Sequence, residues 1–154
     1  MNVLARRDVQ IAIFVVVGVI GLIWVLRPDP RSPEERIRAA IEAMVEGAEN
    51  HDLDPFRDYL SEQLKDQSGL GKQDVLNRLR VLFLRHPSIH LQILSLEVSG
   101  SSNQVKNVFL ELLMSSTSFP QDKGNYDIVF RLEDDTWRVF SLDWGSGYGQ
   151  ESLR

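Results

Sequence analysis

The sequence predicts an α+β domain, three helices followed by four antiparallel strands, and three observations point to it. From Ile89 to Trp144 apolar and polar residues alternate at period two, most cleanly at Tyr126, Ile128, Phe130 and Leu132, as in a sheet with two distinct faces. Between Ser32 and Arg85 the apolar residues recur at helical spacing, so that each segment has one face to bury. The remaining stretch, Ile11–Leu26, carries no charge at all. Helices that precede an antiparallel sheet in this way pack together on one of its faces.

After a short tail (1–10), Ile11–Leu26 contains only apolar or glycine side chains. With Val9 and Gln10 it spans about 18 residues, or about 27 Å as a helix, close to the thickness of a thin hydrocarbon core. Trp24 falls where an interfacial aromatic belongs, and Arg27-Pro28 ends the segment,. Arg6-Arg7 suits a signal peptide, but Trp24-Val-Leu-Arg-Pro28 contains no small-x-small cleavage pattern,. The expectation is a retained signal anchor that places the chain in a lipid bilayer through residues 11–26. Arg27, Arg31, Arg36 and Arg38 after the anchor outnumber Arg6 and Arg7 before it, which by simple counting keeps the domain in the cytoplasm. These later arginines alternate with Asp29, Glu34 and Glu35 in a folding helix, and the counting rule weakens for long domains, so export is expected.

Residues 27–32, Arg-Pro-Asp-Pro-Arg-Ser, read as a short stiff linker,. Ser32-Pro-Glu-Glu35 then opens the first helix with a cap, a first-turn proline and a capping-box glutamate,. Ile37, Ile41, Met44, Val45 and Ala48 form its buried stripe,. Asp54-Pro55 starts a second helix, with Phe56, Tyr59, Leu60 and Leu64 on one face. Ser68-Gly-Leu-Gly71 separates it from a third, Gln73 to Arg85, with Val75, Leu76, Leu79, Leu82 and Phe83 inward. His86-Pro87 stops that helix. Strands are expected at Ile89–Val98, Val105–Ser115, Tyr126–Leu132 and Trp137–Trp144, with breaks at Gly100–Asn103, Phe119–Gly124 and Glu133–Asp135, and residues 145–154 form a flexible tail.

Composition narrows the function. Net charge is −5, and without Arg6, Arg7 and Asp8 the 17 basic and 22 acidic residues become 15 and 21. A nucleic-acid partner calls for a basic stripe, and the acidic balance argues against one. Arg78, Arg80 and Arg85 share a predicted helix and read as its solvated surface. The chain has no cysteine, which excludes disulfides and thiolate catalysis. His51, His86 and His90 lack metal-ligand spacing,, and there is no phosphate-binding glycine loop, so neither metal nor cofactor is expected.

The run Glu49-Asn-His-Asp-Leu-Asp54, the run Tyr59-Leu-Ser-Glu62, and Asp135-Thr-Trp-Arg-Val-Phe140 leading to Asp143-Trp144 together resemble the nuclear transport factor 2-like (NTF2-like, SnoaL-like) superfamily. Gly71-Lys-Gln-Asp74 and Leu84-Arg-His-Pro-Ser-Ile-His90 are similar to its membrane-anchored and exported bacterial members. The resemblance covers residues 33–144 and implies a cone-shaped domain, a curved sheet wrapped on helices, at a bacterial inner membrane and facing the periplasm. Lys65–Lys72 is too short for the hairpin that many members insert there to close the pocket mouth.

Members of this superfamily divide into pocket enzymes and non-catalytic binding modules. The enzymes use an Asp base or a His-Asp or Tyr-Asp pair, and the resemblance offers Tyr59, His90, Tyr126 and Asp143 for such roles. The residues favour structural places for them: Tyr59 in a helix stripe, His90 on the far side of the sheet from Ile89 and Leu91, Asp143 at a strand end. The expectation is therefore a membrane-tethered, non-catalytic binding or assembly domain with a protein or lipid-like partner. The alternative is an isomerase- or dehydratase-type pocket enzyme or small-ligand carrier. If Tyr126, Ile128, Phe130 and Leu132 with Trp137 and Val139 face the helices, the opposite face carries Val129, Phe140, Leu142 and Trp144. That face is expected to be an interface, for a homodimer or an envelope partner.

Overall fold

The computed structural model describes residues 29–117 and 119–143. The expected anchor, Trp144 and the tail lie outside them. Among the described residues no helix is long and apolar enough to cross a membrane. The chain divides into two units, Met1–Arg31 and Ser32–Arg154, and the second contains every helix and strand described.

Helix α1 (Pro33–Glu49) starts and ends on local chemistry. Ser32 Oγ accepts from the Glu35 N–H at 3.2 Å while the Glu35 carboxylate accepts from the Ser32 N–H at 2.7 Å, the reciprocal capping box expected. At the other end the Asp52 N–H reaches back to the Gly47 carbonyl at 2.7 Å and the His51 N–H to Ala48 at 3.3 Å. His51 takes φ 58°, closing the helix in a Schellman motif.

The second helix is a correction. Helix α2 covers only Asp54–Tyr59, and the chain then turns extended into strand β1, Leu60–Asp66. Leu60 and Leu64, four apart, fit a helical stripe and a strand face equally well. Pairing with the last strand decides between them: Leu60 stands opposite Val139 and Asp66 opposite Leu142 in a parallel ladder. The sheet therefore has five strands, not four. The buried Asp66 carboxylate then accepts from the Ser68 and Leu70 N–H groups at 2.8 and 2.7 Å. This shapes the turn into α3 (Lys72–Arg85).

Strands β2 (Ile89–Ser99), β3 (Val105–Ser116), β4 (Phe119–Glu133) and β5 (Thr136–Asp143) follow, giving the order β1-β5-β4-β3-β2. β4 begins seven residues earlier than expected: the supposed break Phe119–Gly124 is strand, with Gly124 opposite Leu112. Leu94 and Phe140 are extra residues in the β2–β3 and β4–β5 ladders, bulges of the kind that curve a sheet. The core between the sheet and the helices centres on Phe130, Ile37, Ile41, Leu64 and Val108, all essentially inaccessible to solvent.

Candidate binding cavity

The bulge at Phe140 decides what faces the helices near the end of β5. Ser141 pairs with Val129 and Val139 with Phe130, so Phe140 is the unpaired residue between them. The alternation reverses there. Trp137 and Val139 face the core, Phe140 faces away, and Leu142 turns inward again to line a cavity. Leu142 thus leaves the outward set expected from strict period-two counting.

That cavity, about 190 Å³, lies between the inner face of the sheet and all three helices. Each wall follows from a stripe. Met44 and Val45 come from α1, Phe56 from α2, Leu79 and Leu82 from α3, and the central strands supply residues such as Leu112 and Tyr126. Several lining residues, among them Met44, Phe56, Leu82, Leu91 and Met114, are only half-buried. The lining is almost wholly apolar, and Tyr126 is the one residue in it whose side chain carries a polar atom. Burial, helped by the charge of Asp122, pushes the Tyr126 phenol above its ordinary range, so at neutral pH it is a hydrogen-bond donor and not a base.

Gly124 makes room for this tyrosine. A Cβ built on Gly124 would lie 2.7 Å from the Tyr126 hydroxyl and 2.9 Å from its ring. The ring leans back along β4 over the glycine, a residue type that by itself suggests a turn.

The other candidates do not join Tyr126. Tyr59 ends α2 and packs half-buried against the core. His90 is exposed on β2, beside the inward Ile89 and Leu91. Asp143 is exposed at the end of β5, opposite Asp127. No group of three or more His, Asp or Glu among the described residues is placed to hold a metal ion.

A polar network fastens β1 on the other side of the sheet. Glu133 accepts from Ser61 Oγ at 2.8 Å and from Arg131 at 2.5 Å, and Arg131 also donates to Gln63 at 2.9 Å. Burial pushes the Glu133 carboxyl up, but bonds from Arg131 and Ser61 and the charges of Arg131 and Arg138 outweigh it, leaving the pKa below its ordinary value. Arg131 also stacks 4.0 Å above the Phe140 ring. Val129 is half-buried on this same outer face.

Helices gathered on the inner face of a bulged sheet, around an apolar cavity, form a cone. A 15% identical structure, Bd1075 of Bdellovibrio bacteriovorus, superposes with TM-score 0.64 over 76% of this chain and 41% of its own. An NTF2-like superfamily protein from Salmonella enterica superposes with TM-score 0.63 at 9% identity, over 77% of this chain and 96% of that one. This chain has the NTF2-like fold. A candidate dehydratase from the NTF2-like family of Streptomyces avermitilis agrees, with TM-score 0.62, 18% identity and coverage of 75% and 96%. The chain spans about two-fifths of Bd1075 and nearly all of the other two. No family model matches the sequence, and neither does any curated protein. At these identities the likeness concerns the NTF2-like fold alone.

Proposed function

We propose that this chain is a membrane-tethered NTF2-like binding module of the cell envelope, which holds an apolar, lipid-like group in its cone without transforming it. The observation that carries this reading is the cavity lining. Acid–base chemistry needs at least two polar groups converging on one reacting atom, and Tyr126 is the one polar side chain among the lining residues, which include none of Tyr59, His90 and Asp143. A volume of about 190 Å³ exceeds the roughly 150 Å³ of an engineered apolar void that takes up benzene, which suits one ring or a short stretch of acyl chain. The tether is the uncharged run Ile11–Leu26, and placement on the exported side is compatible with the arginines after it, since long domains translocate largely regardless of charge.

The test is a titration of the purified protein with a fluorescent fatty acid, beside native mass spectrometry for co-purifying apolar compounds. Leu112→Phe, which fills the cavity, is expected to abolish uptake with the fold intact, and Tyr126→Phe to change affinity less than about fivefold, the worth of roughly one hydrogen bond. Turnover of any bound compound that is lost in Tyr126→Phe would establish the isomerase-type alternative instead.

A further inference from the structure

Helix α3 shows a different character on each side. Val75, Leu76 and Phe83 are buried, and Leu79 and Leu82 line the cavity. On the outer side Val81 is 46% exposed and Leu84 is 80% exposed, the most exposed large apolar side chain among the described residues. With about 100° between successive residues, Arg80 lies roughly 70° to one side of the midline between Val81 and Leu84; Arg85 and Arg78 lie roughly 70° and 90° to the other. All three arginines are exposed. Arg80 bonds to Asn77 at 3.2 Å, and among the described residues none of the three has a carboxylate partner. Asp74, the acid on this arc, is engaged with the Gly71 N–H at 3.1 Å.

An aliphatic pair flanked on both sides by arginines is the arrangement of a helix lying in a bilayer interface. The aliphatic groups enter the boundary between headgroups and acyl chains, and the guanidinium groups reach back to phosphate oxygens. The concentration of positive charge stands out in a chain of net charge −5. We infer that the outer face of α3 docks on an anionic phospholipid bilayer through Val81, Leu84, Arg78, Arg80 and Arg85. A bilayer is favoured over an acidic protein because the sequence itself supplies the means to reach one. The linker 27–32 that follows the apolar run is six residues long, so the domain starts within roughly 25 Å of the run's end. The inference rests on the proposed tether for that proximity and deepens it: docking brings the helix that lines the cavity with Leu79 and Leu82 against the lipid that supplies acyl chains.

The absence of cysteine makes the test direct. In the full chain, a polarity-sensitive dye at Asn77→Cys samples the centre of the outer face and one at Glu42→Cys samples an exposed site on α1. Both are mixed with vesicles of phosphatidylcholine containing brominated lipid, with and without phosphatidylglycerol. The expected result is quenching at position 77 but not 42, in the anionic vesicles, with the docked-to-undocked ratio falling about fivefold for each Arg→Gln change and also falling in Leu84→Ser. A dye at 77 that stays unquenched while the chain floats with the vesicles overturns docking and leaves the tether standing. Quenching without flotation on neutral vesicles supports docking and overturns the tether. Quenching unchanged by the triple Arg→Gln variant, or shielding at 77 only by an added acidic protein, overturns the anionic bilayer as the partner.

Discussion

At the scale of single residues, two positions on β4 and its turn carry separable effects. Gly124→Ala would place a methyl group against the Tyr126 ring, and overpacking a core in this way typically costs about 1–3 kcal/mol. Chemical denaturation is expected to show that loss, and Tyr126→Ala in the same chain is expected to remove part of it, a coupling of at least about 0.5 kcal/mol. A cost equal in both backgrounds would mean the ring does not occupy that space. At the hairpin between β4 and β5, Asp134 and Asp135 take φ 47° and 60°, the conformation of a turn that prefers Asn-Gly. Arg36 donates to the Asp135 backbone carbonyl, a bond that glycine would keep; its 3.6 Å ion pair with the exposed Asp135 carboxylate would be lost at little cost,. Asp135→Gly is therefore expected to raise stability by about 0.5–1 kcal/mol, read as a higher denaturation midpoint at unchanged slope.

At the scale of elements, β1 is attached to the sheet by a short, irregular ladder. Five steps along β1, Leu60 to Lys65, accompany only two along β5, Val139 to Ser141. The fully buried Ser61 hydroxyl, bonded to Glu133, compensates for the missing ladder bonds. Ser61→Ala is expected to cost about 1–2 kcal/mol, with faster hydrogen exchange concentrated in 60–66; uniform loss across the sheet would contradict that local role. The same contact sets a pH dependence. Because the folded pKa of Glu133 lies below its unfolded value, its contribution is complete above the unfolded value and is lost in acid, as pH falls through the folded one. Glu133→Gln should therefore destabilise the protein at neutral pH and differ little from the parent in strong acid. A difference that persists at low pH would point to packing and not charge.

At the scale of the whole molecule, two predictions concern what the domain is fastened to. The proposed anchor predicts that the protein stays with membranes in alkaline carbonate; release, or a mature N-terminus near Pro28, would end that reading. The outer sheet face is proposed to self-associate. Phe109, 38% exposed, sits between Glu97 and Asp127 in the cross-strand register, while Phe140 lies beneath Arg131. This face thus combines apolar rings with an acidic and a basic strip, and a two-fold arrangement would set opposite charges against each other. Sedimentation of the domain from Asp29 onward is expected to show a dimer that Phe140→Glu weakens at least tenfold; a strict monomer at high micromolar concentration would refute it. Leu142 has no part in that surface, since it lines the cavity.

Much of this molecule is written in short stretches of chain. The Ser32–Glu35 capping box, the inward stripe of α1, the stop at His86-Pro87 and the alternation Tyr126-Ile128-Phe130-Leu132 depend on neighbours within a turn or a strand. They could be read from the sequence alone, and so could the class of fold. Three features could not. Leu60 and Leu64 became a strand because β5, some 80 residues later in the chain, offered a ladder, and a four-residue spacing carries no trace of that partner. Gly124 looked like a turn, and only the ring of Tyr126 lying over it explains a glycine in mid-strand. Leu142 and Asp143 exchanged faces because one extra residue, Phe140, entered the ladder opposite Val129 and Phe130. The cavity belongs with these three. Its lining is legible residue by residue as ordinary core, but an unfilled volume is a property of how far apart the packed elements stand, and that distance is decided only when helices and sheet meet.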